Sequence, residues 1–151
     1  EIETELPVLV KKVLEAQERG GCRSFAYLGN IVELWEYLVK EKVQVDLGSD
    51  QSSLHIPFSG GYYPAGMSLE KSRQLMRDEP AEFKKLVEGT LRRHAVAINT
   101  LTETRGMYFF DYGNAFLLQC SRAGAEIMDT KDPGSGRFRY ASYVEDIMGP
   151  M

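Results

Sequence analysis

Apolar residues along the chain change spacing in a regular way, and the changes mark out elements. Leu6, Leu9, Val10, Val13 and Leu14 fall on one helical face. Pro7 suits the first turn of that helix, and Gly20-Gly21 suits its end. Residues 24–28 read as a short strand. Asn30 is placed to cap a second helix that carries Ile31, Leu34, Trp35 and Leu38. Val43, Val45 and Leu47 alternate with polar residues, which predicts a strand. Residues 48–66 are rich in Gly, Ser, Pro and Tyr, and a loop of that length inside one domain is often functional.

Further on, Ser68 can cap a helix reaching Met76, and Asp78 with Pro80 opens a long one. Phe83, Val87, Leu91, His94, Ile98 and Leu101 lie near one face of that long helix. The apolar run from Met107 to Phe110 predicts a strand buried on both sides. Gly113-Asn114 opens a helix with Phe116, Leu117 and Ala123. Residues 129–139 form a polar loop, and residues 140–151 one short helix. Helices and strands alternate, so the expected class is α/β: a Rossmann-like three-layer unit with a short parallel sheet flanked by helices.

Composition narrows the partners. The chain has 151 residues, 43% hydrophobic, with a net charge of -4. That suits one soluble domain and disfavours nucleic acid, which asks for a basic face. No apolar run approaches the roughly 20 residues of a membrane helix, and no signal peptide is visible. Cys22 and Cys120 stand far apart without paired spacing. They read as free, buried thiols of a cytoplasmic protein, with no disulfide and no metal site. Because the chain starts at Glu1 and stops after Met151, it is expected to belong to a longer protein.

Three predicted strands end in small or amide-bearing residues: Gly29-Asn30, Gly48-Ser49-Asp50-Gln51 and Asp111-Tyr112-Gly113-Asn114. In a parallel sheet all three lie on the carboxyl edge, where open α/β sheets bind ligands. Glycine admits a ligand close to the backbone, and helix N-termini offer free N–H groups to anionic oxygens. A nucleotide-sized ligand follows, although Asn30 and Asn114 read equally as ordinary helix caps. His94, on an apolar face, reads as a satisfied core or interface histidine. Asp50 and Asp111 read as turn-shaping acceptors of backbone N–H groups. Tyr108, Phe109 and Phe110 read as core. Lys11-Lys12, Lys84-Lys85 and Arg92-Arg93 read as solvated helix faces.

The segment Asp50-Gln51-Ser52-Ser53-Leu54-His55, followed by Gly60-Gly61-Tyr62-Tyr63-Pro64-Ala65-Gly66, resembles the urocanase family. So do Tyr27-Leu28-Gly29-Asn30 and Phe110-Asp111-Tyr112-Gly113-Asn114, in the same order and at similar separations. Leu91-Arg92-Arg93-His94 and Phe138-Arg139-Tyr140 extend the likeness over nearly the whole chain. The resemblance implies that residues 1–151 form the second half of an NAD-binding Rossmann-like domain. In that family tightly held NAD acts as an electrophile toward urocanate, and water addition gives imidazolonepropionate in histidine catabolism. The cofactor contacts it implies are Asn30, Ile31, Gln51, Ser52, Ser53, Leu54, His55, Tyr62, Tyr63 and Tyr112.

Ser52 stands where the family usually has threonine and keeps the hydroxyl. Ile56 stands where asparagine or aspartate is common and loses a polar group beside His55. The family's glycine-rich phosphate loop and its catalytic cysteine have no counterpart here. The resemblance therefore implies no catalytic residue in this segment, no activity of the segment alone, and a homodimer for the longer protein. The rival readings are a non-catalytic nucleotide-binding α/β module and a purely structural or oligomer-forming segment.

Overall fold

The computed structural model describes residues 2–132 and 134–149. Its elements are β1 (Ile2–Glu3), α1 (Leu6–Glu18), β2 (Ala26–Tyr27), α2 (Ile31–Lys40), β3 (Leu47–Asp50), α3 (Leu69–Asp78), α4 (Pro80–Arg105), β4 (Tyr108–Asp111), α5 (Phe116–Arg122) and β5 (Ala141–Ser142); the helices and the three inner strands fall where the spacing predicts, and the short strands β1 and β5 are additions to it. A 3-10 turn (Pro57–Ser59) interrupts the long loop, and a wide π-type turn (Tyr143–Met148) follows β5. β1 pairs parallel with β2, while β3, β4 and β5 form a separate three-stranded parallel sheet in that order, so Gly29-Asn30, after β2, does not end a strand of the same sheet as Gln51 and Tyr112, contrary to the expectation of one shared edge. The class is therefore Rossmann-like α/β, with short parallel sheets flanked by helices.

Local chemistry sets the helix starts. The Asn30 side chain accepts from Val32 N–H at 3.0 Å, and the Ser68 hydroxyl accepts from Lys71 N–H at 3.3 Å. Prolines stand in the first turns of α1 and α4, where a missing N–H costs nothing. Helix α4 is the spine. Phe83, Val87, Leu91, Ala95, Ile98 and Leu101 are buried along it and meet Trp35 of α2, Phe109 of β4, and Phe116 and Leu117 of α5 in one core.

Several expectations give way to the structure. The strand predicted from Val43, Val45 and Leu47 begins at Leu47 and runs to Asp50. Its partner β4 starts only at Tyr108, so residues 43–46 have no ladder to join. The run Tyr108-Phe109-Phe110 is not core throughout. Phe109 is buried and Phe110 half-buried, whereas Tyr108 is 56% exposed. Tyr108 and Phe110 share a face with Leu47, which is 63% exposed, so β3 and β4 bury one face and leave the other open among the described residues. Asn114 is not a helix cap: Ala115, in the left-handed region, precedes α5. The closing segment is strand β5 and the π-type turn, not a single helix; Pro150 and Met151 fall outside the described residues. Cys120 is buried, but Cys22 is exposed, and both are free thiols.

Candidate functional site

The carboxyl ends of β3 and β4 lie side by side, with Asp50 in register with Asp111 and Tyr112 N–H donating to the Asp50 carbonyl at 3.3 Å. The two segments that leave this edge are tied to each other. Asn114 Nδ2 donates to the Gln51 carbonyl at 2.9 Å, and Leu54 N–H donates to the Asn114 carbonyl at 3.2 Å. The turn after β4 thus grips the loop after β3 from both sides of one residue.

The far end of the loop is held from α2 and α4. Asn30 Nδ2 donates to the Tyr63 carbonyl at 3.1 Å. Ala65 N–H donates to the Thr90 hydroxyl at 3.1 Å, and Gly66 N–H to the Glu33 carboxylate at 2.8 Å. Asn30 therefore caps a helix and also fastens the loop, which joins the edge of the small sheet to that of the larger one. Two glycines make the folding possible. A Cβ on Gly61 would come within 2.4 Å of the Ser53 carbonyl oxygen, and Gly113 adopts φ +104 with Val144 pressed against it.

The expected contact residues divide by what they present. Gln51, Ser53, His55 and Tyr112 are exposed; Ile31, Ser52 and Tyr63 are half-buried. Tyr112 lies flat against Tyr143, with ring centroids 5.4 Å apart and planes 3° apart. Leu54 and Tyr62 turn their side chains into the core instead. Gln119 Nε2 donates to the Leu54 carbonyl at 3.1 Å, fixing the loop from α5. His55 opens onto a neighbouring hollow whose walls include Phe58, Lys84, Gln119 and Arg122.

Beneath the edge lies a buried polar cluster. The Tyr62 hydroxyl and His94 Nδ1 are 3.1 Å apart, and His94 Nε2 is 3.7 Å from Asp50 Oδ2. Asp50 accepts from both the amide and the hydroxyl of Ser52, at 2.9 and 3.1 Å. Burial pushes the Asp50 carboxyl up to about 6 against the pull of Ser52, and with Asp111 adding to the rise. Burial also raises Asp111, opposed by the amides of Gly113 and Tyr112. His94 is driven down to about 3 by desolvation, so its ring is neutral. Tyr62 and Cys120 are pushed well above their ordinary ranges by burial, which leaves an undissociated phenol and an unreactive thiol. Asp50 and Asp111 thus shape their turns as the sequence suggests. His94 is only half satisfied, because its Nε2 has no partner among the described residues.

Sequence reasoning missed this Tyr62–His94–Asp50 alignment and the Asn114 clamp. A histidine on an otherwise apolar helical face was the available signal for the first. Among the described residues no group of three or more His, Cys, Asp or Glu is placed to hold a metal, and no helix is long and apolar enough to cross a membrane.

The family described as the urocanase Rossmann-like domain matches residues 1–147. The chain is 49% identical over 146 residues to a probable urocanate hydratase of Caenorhabditis elegans, covering 96% of the chain and 22% of that protein. It is 56% identical over 138 residues to a probable urocanate hydratase of Dictyostelium discoideum, covering 87% of the chain and 20% of the relative. Against the urocanate hydratase of Homo sapiens the identity is 47% over 154 residues, 99% of the chain and 22% of the relative. The chain spans about a fifth of the length of these relatives. A match over nearly all of its residues places the chain in the urocanase family, in the region of the family's Rossmann-like domain.

Proposed function

We propose that this chain is the second half of the NAD-binding domain of a urocanate hydratase, a hydro-lyase that adds water to urocanate. The observation that carries the reading is the shared edge of β3 and β4, where the loop after β3 presents Gln51 and Ser53, the turn after β4 presents Tyr112, and Asn114 ties the two together, with His55 exposed further along the loop. Amide, hydroxyl, imidazole and phenol groups match the ribose, amide and phosphate chemistry of a dinucleotide. Asn30, Ile31, Gln51, Ser52, Ser53, Leu54, His55, Tyr62, Tyr63 and Tyr112 would hold it. Asn30, Leu54 and Tyr62, whose side chains are buried, act through their backbone and by shaping the loop beneath it. NAD, when bound, supplies an electrophilic nicotinamide ring. This segment's part is to orient the cofactor and keep it still.

The catalytic residue, the glycine-rich phosphate loop, the homodimer contacts and the cytoplasmic setting belong to the longer protein in this reading. The test is a urocanate hydration assay on the full-length protein, with its NAD content measured alongside. Activity with bound NAD, reduced by Gln51→Ala and Tyr112→Ala, and no activity of residues 1–151 alone, is the expected result. A full-length protein that binds NAD without turning over urocanate would support the rival reading of a non-catalytic nucleotide-binding module.

A further inference from the structure

The loop that carries the candidate contacts is gripped from below by a unit that the cofactor reading leaves unused. His94 comes from the middle of α4 and is fully buried. Its ring stands between Tyr62, near the far end of the loop, and Asp50, at the near end, and lies 4.7 Å from the ring of Phe116. A carboxylate beside Nε2 favours the proton on that nitrogen, so Nδ1 is left to accept from the Tyr62 hydroxyl. Asp50 then passes the constraint on, because its two oxygens accept from Ser52 N–H and Oγ–H. One buried histidine thus touches the residues that fix both ends of the segment 52–62.

We infer that His94 is a positioning residue for the ligand edge, acting through the Tyr62 hydroxyl on one side and the Asp50–Ser52 turn on the other. A leucine at this place on α4 would fill the core as well. The imidazole adds a buried tie to the Tyr62 hydroxyl, while its Nε2 faces Asp50 Oδ2 at 3.7 Å without a hydrogen bond. What the imidazole fixes is the height of Tyr62 and Ser52 above the core, and with them the surface offered by Ser53, His55 and Tyr63. This role rests on the cofactor reading for its purpose, but its mechanical part can be measured without any ligand.

The experiment uses the full-length protein with Tyr62→Phe, His94→Leu and His94→Asn. Tyr62→Phe removes one oxygen and keeps the packing, so it remains informative if His94→Leu folds poorly. Backbone amide exchange over residues 52–63, without ligand, is measured first, and NAD affinity second. Loss of the tie should speed exchange in that segment and weaken NAD by about tenfold, the effect of one buried hydrogen bond. Tyr62→Phe combined with His94→Leu should be no worse than His94→Leu alone, and His94→Asn, which keeps an acceptor near Nδ1, should restore most of what His94→Leu loses. Unchanged exchange in Tyr62→Phe, or no rescue by asparagine, would overturn the inference and leave His94 as packing. If the unsubstituted protein fails to bind NAD, the cofactor reading fails instead, and the exchange data still decide the role of His94.

Discussion

Helices α1 and α4 both carry apolar residues at helical spacing, yet they live in different surroundings. Along α4 the apolar face is sealed by α2, β4 and α5, and residues such as Leu91 and Ile98 have no exposure. Along α1 only Leu9 and Val10 are buried, neither belongs to the main core, and Val8 and Leu14 are exposed. Between α1, α2 and the start of β3 runs an open groove of about 630 Å³, lined by Val10, Val13, Phe25, Tyr27, Leu38 and Val45. An amphipathic pattern says which face a helix would bury. What stands opposite decides whether it does. The candidate ligand edge is anchored on the sealed side, through His94, Thr90 and Gln119, and that is where a precise surface can be held.

The contrast can be broken by matched substitutions. Leu91→Ala and Leu9→Ala remove the same atoms from the two helices. The first should cost about 4–5 kcal/mol and the second about 2 kcal/mol, because the walls around Leu91 cannot collapse and those around Leu9 already meet solvent. Chemical denaturation of both variants gives the comparison, and equal losses would erase the distinction.

A smaller effect sharpens the electrostatics under the edge. The carboxyl of Asp50 is raised from 3.8 to about 6 on folding. The folded form therefore holds its proton more tightly, and the associated stability is present below pH 3.8 and lost as pH rises through 6. Asp50→Asn should match the parent protein near pH 4 and be more stable by up to about 3 kcal/mol above pH 6. His94 runs the other way: lowered from 6.5 to about 3, it contributes stability above pH 6.5 that is lost on acidification. A plot of stability against pH for Asp50→Asn should then show the acid-side loss from His94 more steeply than the parent does. An Asp50→Asn variant uniformly less stable at every pH would contradict this assignment.

Asn30→Ala removes a helix cap and the tie to Tyr63 together, and should cost about 1–2 kcal/mol. Asn30→Asp keeps the cap acceptor and loses only the donor, so it should retain most of the stability while freeing residue 63, as read by amide exchange. The smallest effect belongs to the Arg93–Glu36 pair. Both bonds are 2.7 Å, but the side chains are half in water, and Glu36→Gln should change stability by no more than about 1 kcal/mol.

How much of this was readable along the chain depends on whether the cause is local. The start of α2 at Asn30, of α3 at Ser68 and of α4 at Pro80 follows from capping and proline chemistry that lies within a few residues. The place where β3 begins does not, because a ladder exists only where Tyr108 supplies a partner from far along the chain. Tyr108 and Leu47 show the same limit, since whether an apolar run is covered on one face or two depends on layers that the run itself does not encode. At the edge, the loop and its amide-bearing ends stood out by composition. The inward turn of Tyr62 and the grip of Asn114 on Gln51 are pairings across tens of residues and had no local mark.

Hydrogen exchange of the full-length protein, with and without NAD, addresses the central claim most directly. NAD is expected to protect amides around residues 30–31, 51–55, 62–63 and 112–114 and to leave α1 unchanged. Protection confined to other parts of the protein, with this edge exchanging as before, would contradict it.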